Sequence, residues 1–300
     1  MSNLADSISA DAADPAGSAW EWAEKKQPAE NGNRAFSVLT NVRKKIGRVF
    51  TRGLAVILFF AFWEIAPHVG LADPIFVPPL DRVLASLWTI AQDGTLLKDI
   101  AISLQRAVLG FGISVVIAVP LGLIIGWFKK AERFLDPLLQ LFRQTSPLAL
   151  LPVFILIFHI GEVSKVAIIF WGVQWPILLN TIAGVKSVDP LYIKSARSMG
   201  ASPFTLFTRV ILPGASPMIF SGIRLSATSA IVLLTAAEMI GANSGLGFLI
   251  YYAQQTFKIP EMYAAILMIA VLGVIVNYLL VAIEKQVLKW REELPESVKA

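Results

Sequence analysis

The sequence predicts an all-α membrane protein with about six transmembrane helices. Of its 300 residues 56% are hydrophobic and only 16% charged, and the mean hydropathy is +0.66; in a soluble domain about a quarter of the residues carry charge. Uncharged runs of 22, 20 and 22 residues occupy 107–128, 166–185 and 262–283, and about 20 such residues cross a hydrocarbon layer. Three weaker apolar stretches complete the six: 53–72 with Glu64 inside, 134–158 with Asp136 and Arg143, and 214–240 with Arg224 and Glu238.

The ends are of a different kind. Residues 1–34 are rich in Ala, Asp, Ser and Pro and read as a disordered tail. A basic juxtamembrane segment follows at 35–52, then the membrane domain at 53–285 and a short C-terminal tail at 286–300. Lys and Arg are distributed sixteen to four between the two sides of the spans. Positive charge collects in cytoplasmic loops, so both termini are expected in the cytoplasm and the chain in the inner (plasma) membrane. The formal charge of +5 has the same origin and does not point to nucleic acid.

Much chemistry is excluded by composition. With no cysteine and only His68 and His159, there is little material for a metal centre or a nucleophile–histidine pair. No Gly-Lys dipeptide occurs, so the phosphate cradle GxxxxGK[ST] is absent and the energy for any transport must come from elsewhere. The second span carries Gly110, Ser114, Ala118, Gly122 and Gly126 at every fourth position, a row that lets another helix come close. Prolines at 67, 120, 137, 147, 152, 176 and 217 predict an irregular, kinked bundle.

The connection 186–212 carries the most information. Asp189-Pro190 reads as an N-cap followed by proline at the first helical position, and Gly200 as the left-handed residue that ends the helix. Ser202-Pro203 repeats the start signal for a second short helix, 204–211, that meets Pro213 at the membrane. Two capped helices with a glycine corner form a rigid knob on the positive side.

Here the chain resembles a known family. Lys194-Ser195-Ala196, three residues, Gly200, nine residues, then Val210-Ile211-Leu212-Pro213 matches the spacing of the EAA loop in membrane subunits of binding-protein-dependent ABC importers. The blocks at 147–166, 195–225 and 236–250 and the Trp290-Arg291 end resemble the nitrate/sulfonate/taurine/bicarbonate branch. The resemblance covers about 55–292 and implies a type I importer permease fold in which 189–200 is a coupling helix seated in a separate ATPase subunit. The coupling residues it implies are Lys194, Ser195, Ala196, Arg197, Met199, Gly200, Ala201, Pro203, Leu212 and Pro213. The family's glutamate is here Lys194, so docking is expected to rest on shape, Ala196 and Gly200. The implied assembly is a homodimer with two ATP-binding subunits and a periplasmic or lipid-anchored substrate-binding protein. ATP and Mg2+ would sit on the ATPase, and this chain itself would hold no cofactor or metal and catalyse nothing.

Ionisable groups within spans face protein or water, because lipid exposure costs about 2.5–3.5 kcal/mol at the helix centre. Arg143 and Arg224 enter from the basic side to similar depth and suit an anion path. Glu238 lies near the opposite end, where with Asn243, Gly245 and Gly247 it forms a gate, a turn beneath a docked binding protein, or an interfacial carboxylate. Gln174, Trp175 and Asn180 flank the Pro176 kink as interhelical hydrogen-bonding groups or path residues. Arg106 and Glu64 read as near-interface residues or structural ion-pair partners. The competing classes are an ion-gradient transporter with Glu64 or Glu238 as its coupling carboxylate, which would need an internal inverted repeat, and an intramembrane enzyme, which would need convergent acid and base groups.

Overall fold

The computed structural model describes residues 53–289. The N-terminal tail, the basic segment 35–52, Trp290-Arg291 and most of the C-terminal tail lie outside the described residues. The chain divides into two compact units after Ala66. The first is represented by most of the apolar helix α1 (Gly53–His68).

The second unit is helical throughout its described residues. Its helices are α2 (Leu80–Gln92), α3 (Thr95–Trp127), α4 (Lys129–Gln144), α5 (Leu151–Phe158), α6 (Glu162–Lys186), α7 (Pro190–Ser198), α8 (Pro203–Leu206), α9 (Leu212–Gly241), α10 (Leu246–Gln255) and α11 (Ile259–Val287). Four of the helical stretches, α3, α6, the run 203–241 and α11, are long and apolar enough to cross a membrane. α4 and α5 together form a fifth candidate, bent by 81°.

Two elements differ from the sequence expectation. The stretch 134–158 is not one straight span. Thr145 is extended (φ −72°, ψ 120°), and two residues on Pro147 lacks a backbone donor and disfavours the helical conformation at Ser146, so the ladder is not resumed across the break; the chain turns there and continues with a single tight turn before α5. The helix expected at 204–211 does not stop at Pro213. A π-turn over 207–211 joins α8 to α9 in one continuous run, and Pro213 directly follows that turn, where the regular ladder is already interrupted.

The core lies where α3 and α9 flank α6. The small-residue row of α3 is the packing face: Ala118 is buried, and the Ser114 hydroxyl donates to the Phe170 carbonyl of α6 at 3.0 Å. A Cβ placed on Gly122 would stand 2.6 Å from Thr181 Cβ. Thr181 is fully buried with its hydroxyl committed to the Ile177 carbonyl, so it cannot yield. Gly122→Val is expected to destabilise the protein by about 1–3 kcal/mol, the usual cost of overpacking, read as a lowered melting temperature in detergent. Ile168, Ile169 and Val173 of α6 share one buried cluster with Ala230, Leu233, Leu234 and Ala237 of α9. The most apolar stretch of α11 has no buried residue within the protomer, as suits a helix turned to lipid or to another subunit.

Candidate functional site

Two places concentrate the polar chemistry, one at each end of the bundle. The first is the knob after α6. The Asp189 carboxylate accepts from Leu191 N at 2.8 Å, with Pro190 at the first helical position. The helix closes with two backbone bonds, Ala201 N to Ala196 O and Gly200 N to Arg197 O, both 3.0 Å. Their ring pattern is a Schellman motif with Gly200 at φ +77°. Ser202 then caps α8 by accepting from Thr205 N at 3.2 Å. The knob is therefore held by its own backbone, and Ile193 anchors it on Val185, Val188 and Ile211.

The residues implied in coupling divide by exposure. Ala196 is buried and Ala201 and Pro213 are half-buried, whereas Lys194, Ser195, Arg197, Met199, Gly200, Pro203 and Leu212 are exposed. Met199 is 80% exposed and Phe204 77%, beside exposed Leu191 and Tyr192. An apolar surface on so rigid a projection is the signature of a protein contact.

The second place is a charge cluster at the far end of α6, whose 25 residues set it about 37 Å from the knob. Glu238, 1% exposed on α9, is its centre. Its carboxylate accepts from Arg106 Nη1 at 2.7 Å, from the Ser103 hydroxyl 2.8 and 2.9 Å from its two oxygens, and from Gly247 N at 2.9 Å. Arg106, 2% exposed, also donates Nε and Nη2 to the two oxygens of Glu162 at 2.5 and 2.6 Å and Nη1 to the Ser244 carbonyl at 2.7 Å. Asp99 accepts from Gly245 N at 2.8 Å, and Leu246 N donates to Ser103 Oγ at 2.9 Å.

Asp99, Ser103 and Arg106 stand at i, i+4 and i+7 on α3 and so form one stripe. The stripe grips the turn 242–247 by three successive backbone amides, two directly and one through Glu238. That turn needs its glycines: Gly245 has φ +111°, and a Cβ on it or on Gly247 would collide with the Glu238 side chain. Glu238 is thus a buried carboxylate that orders the turn, not an interfacial one. Asp99, Ser103 and Glu162 were not singled out in the sequence, although the polar spacing on α3 was there to be read.

The other path candidates are not gathered into one site. Arg143 is exposed near the end of α4, next to Phe142, which packs on Trp171 and Trp175 with ring centroids at 5.5 and 5.7 Å. The Trp175 indole N–H is buried without an acceptor among the described residues, and Gln174 is half-buried beside it. Asn180 donates to the Pro176 carbonyl of its own helix at 2.8 Å and abuts Gly222 of α9. Arg224 forms an ion pair with Glu284 of α11 and lines a groove of about 550 Å³ with Thr228, Asn277 and Tyr278.

A kinked bundle of membrane-length helices, clamped at one end by buried charges and bearing a capped helical knob at the other, defines a multi-pass membrane transport subunit. The chain belongs to the family described as binding-protein-dependent transport system inner membrane component, which matches residues 118–289. It is 35% identical over 247 residues to the taurine transport system permease protein of Escherichia coli K12, covering 81% of this chain and 90% of the relative. The putative aliphatic sulfonates transport permease protein of Bacillus subtilis is 34% identical over 83% of this chain and 92% of its own length. The bicarbonate transport system permease protein of a Synechocystis species is 28% identical over 78% and 87%. Among solved structures, an inward-facing MetNI methionine ABC transporter matches with a TM-score of 0.58 at 19% identity, over 64% of this chain and 96% of that one, and shows the shared fold. The chain is an ABC importer permease with the type I fold.

Proposed function

We propose that two copies of this chain form the translocation path of an importer for a small oxyanion, of the class that includes sulfonates, taurine, nitrate and bicarbonate. Two separate ATPase subunits bind ATP and Mg2+ and seat the knob 189–204, and a substrate-binding protein docks on the opposite face. Both termini lie on the knob side, in the cytoplasm. The observation that carries this reading is the knob: it is rigidly capped and apolar at its tip, and it is joined through Ile193 and Ile211 to the ends of α6 and α9. A push on it is therefore delivered to the two helices at the core of the bundle. Closure of the ATPases moves the knobs, the path opens outward, and hydrolysis returns it. This chain breaks and makes no bond in its cargo.

The substrate class draws support from the relatives named above; of the two cations expected along the path, Arg224 is paired with Glu284 and Arg143 stands exposed near the end of α4. The gradient-driven reading is weaker. A coupling carboxylate must exchange its proton or ion, whereas Glu238 is saturated by Arg106, Ser103 and the Gly247 amide.

The test is uptake of taurine, methanesulfonate and bicarbonate by proteoliposomes that carry the full complex and are supplied with ATP and binding protein. The wild-type complex is expected to accumulate at least one of the three. The double variant Arg143→Ala, Arg224→Ala is expected to slow that uptake at least about tenfold, as the loss of charged contacts of 1.5–3 kcal/mol implies. Unchanged rate and preference in an intact complex would remove the cationic path.

A further inference from the structure

The charge cluster has one member that reaches the surface. Glu162 has 62% of its side chain exposed, while its partner Arg106 is 3% exposed and Glu238, on the other side of Arg106, 1%. Arg106 pairs with both Glu162 and Glu238, Lys165 stands 3.3 Å from Glu162, and Asp99 is held by the Gly245 amide. Three carboxylates against two cations give the cluster one formal negative charge in excess, and Glu162 is the member through which it is reached from outside.

The neighbours of Glu162 are informative. Ile160 and Val163 on either side are 73% and 59% exposed. A carboxylate between them does not suit lipid, and bare isoleucine and valine do not suit water. A protein partner that brings a cation with an apolar surround satisfies both, in the pattern of a charged contact inside an apolar patch. The site lies at the opposite end of α6 from the knob, so this partner is not the one that the knob receives.

We infer that Glu162 is the contact by which a basic side chain of the docked substrate-binding protein reaches the buried cluster. Glu162 shares Arg106 with Glu238 and with the Ser244 carbonyl. An incoming cation competes with Arg106 for Glu162, freeing the arginine's Nε and Nη2 and leaving its charge to Glu238 and the Ser244 carbonyl, which tightens the clamp on the turn 242–247. Docking is thereby converted into a change at the inner end of the cluster, with no residue of the partner entering the core. The inference rests on the permease reading proposed above.

The experiment measures ATP hydrolysis by the reconstituted complex against binding-protein concentration, for the wild type, Glu162→Gln and Glu162→Asp. Complexes are first checked for retention of both ATPase subunits. Glu162→Gln removes the charge but keeps the shape, and is expected to raise the concentration for half-maximal stimulation at least about tenfold, the loss of one charge-assisted contact. Glu162→Asp keeps the charge and retains most of the affinity. The wild-type value also rises with salt more steeply than that of Glu162→Gln, because one screened pair has been removed. Equal half-saturation and equal salt dependence in wild type and Glu162→Gln would overturn the inference and leave the permease reading standing. A wild-type complex that no concentration of binding protein stimulates would overturn both.

Discussion

Arg106→Ala is expected to destabilise the protein by about 3–5 kcal/mol, the cost of leaving a buried charge without its partner. Glu238 would keep the Ser103 hydroxyl and the Gly247 amide but lose its only cation among the described residues, while 1% exposed to solvent. The Ser244 carbonyl loses its donor too. The turn 242–247 should loosen first, so hydrogen exchange at Gly245, Leu246 and Gly247 rises before the bundle melts, and uptake falls with it. Arg106→Leu combined with Glu238→Leu is expected to recover part of the stability, because removing both charges leaves no orphan ion. The check is thermal unfolding of both variants in the same detergent. A single variant as stable as the wild type would show that the cluster does not clamp the turn.

The second large effect is expected at Gly200. Its φ of +77° costs an L residue roughly 1–2 kcal/mol, and a β-branched side chain suffers most there. Gly200→Val should therefore open the Schellman closure between Ala196 and Ala201 and misplace Met199 and Phe204. The transmembrane core does not depend on this corner, so insertion and melting temperature should change little. Uptake should drop at least about tenfold, since a misplacement of about 1 Å at a transmitting surface is enough to disable a coupled step. ATP hydrolysis by the partner should lose its response to binding protein. Gly200→Asn, which tolerates the left-handed conformation, retains most of the function, and Lys194→Ala, exposed and outside the closure, has a small effect. Parallel assays of uptake and stimulated hydrolysis separate these outcomes.

What could be read from the sequence is what is encoded locally. The uncharged runs became α6 and α11 with margins of a few residues, and α3 with about three further turns at its N-terminal end, because hydrophobic length alone decides a span but not where its helix begins. Asp189-Pro190, Gly200 and Ser202-Pro203 produced their caps and corner because each motif acts within about four residues. The break in 134–158 and the continuity through Pro213 were harder. A proline marks a boundary or is carried within a continuous helix according to what packs around it, which the sequence does not state. The charge cluster was the least legible. Arg106 was recognised as an ion-pair candidate, but its partners lie 56 and 132 positions away. No periodicity connects α3 to the start of α6 and the end of α9. The i, i+4, i+7 polar stripe 99–103–106 at the head of an otherwise apolar helix was the one local signal, and it states that something must be satisfied there without saying by what. Arg224 illustrates the converse: its mid-span charge was conspicuous, and its partner Glu284, in the last turns of α11, lay in a stretch read as the helix end.

The central claim is that this chain works as one of two permease subunits driven by separate ATPases, and native mass spectrometry of the gently extracted, tagged protein tests it most directly. The account predicts a particle with two copies of this chain and two copies of an ATP-binding subunit, and loss of those ATPases when Met199 and Phe204 are both changed to aspartate. A particle that holds this chain alone, under conditions that keep related importers assembled, would contradict it.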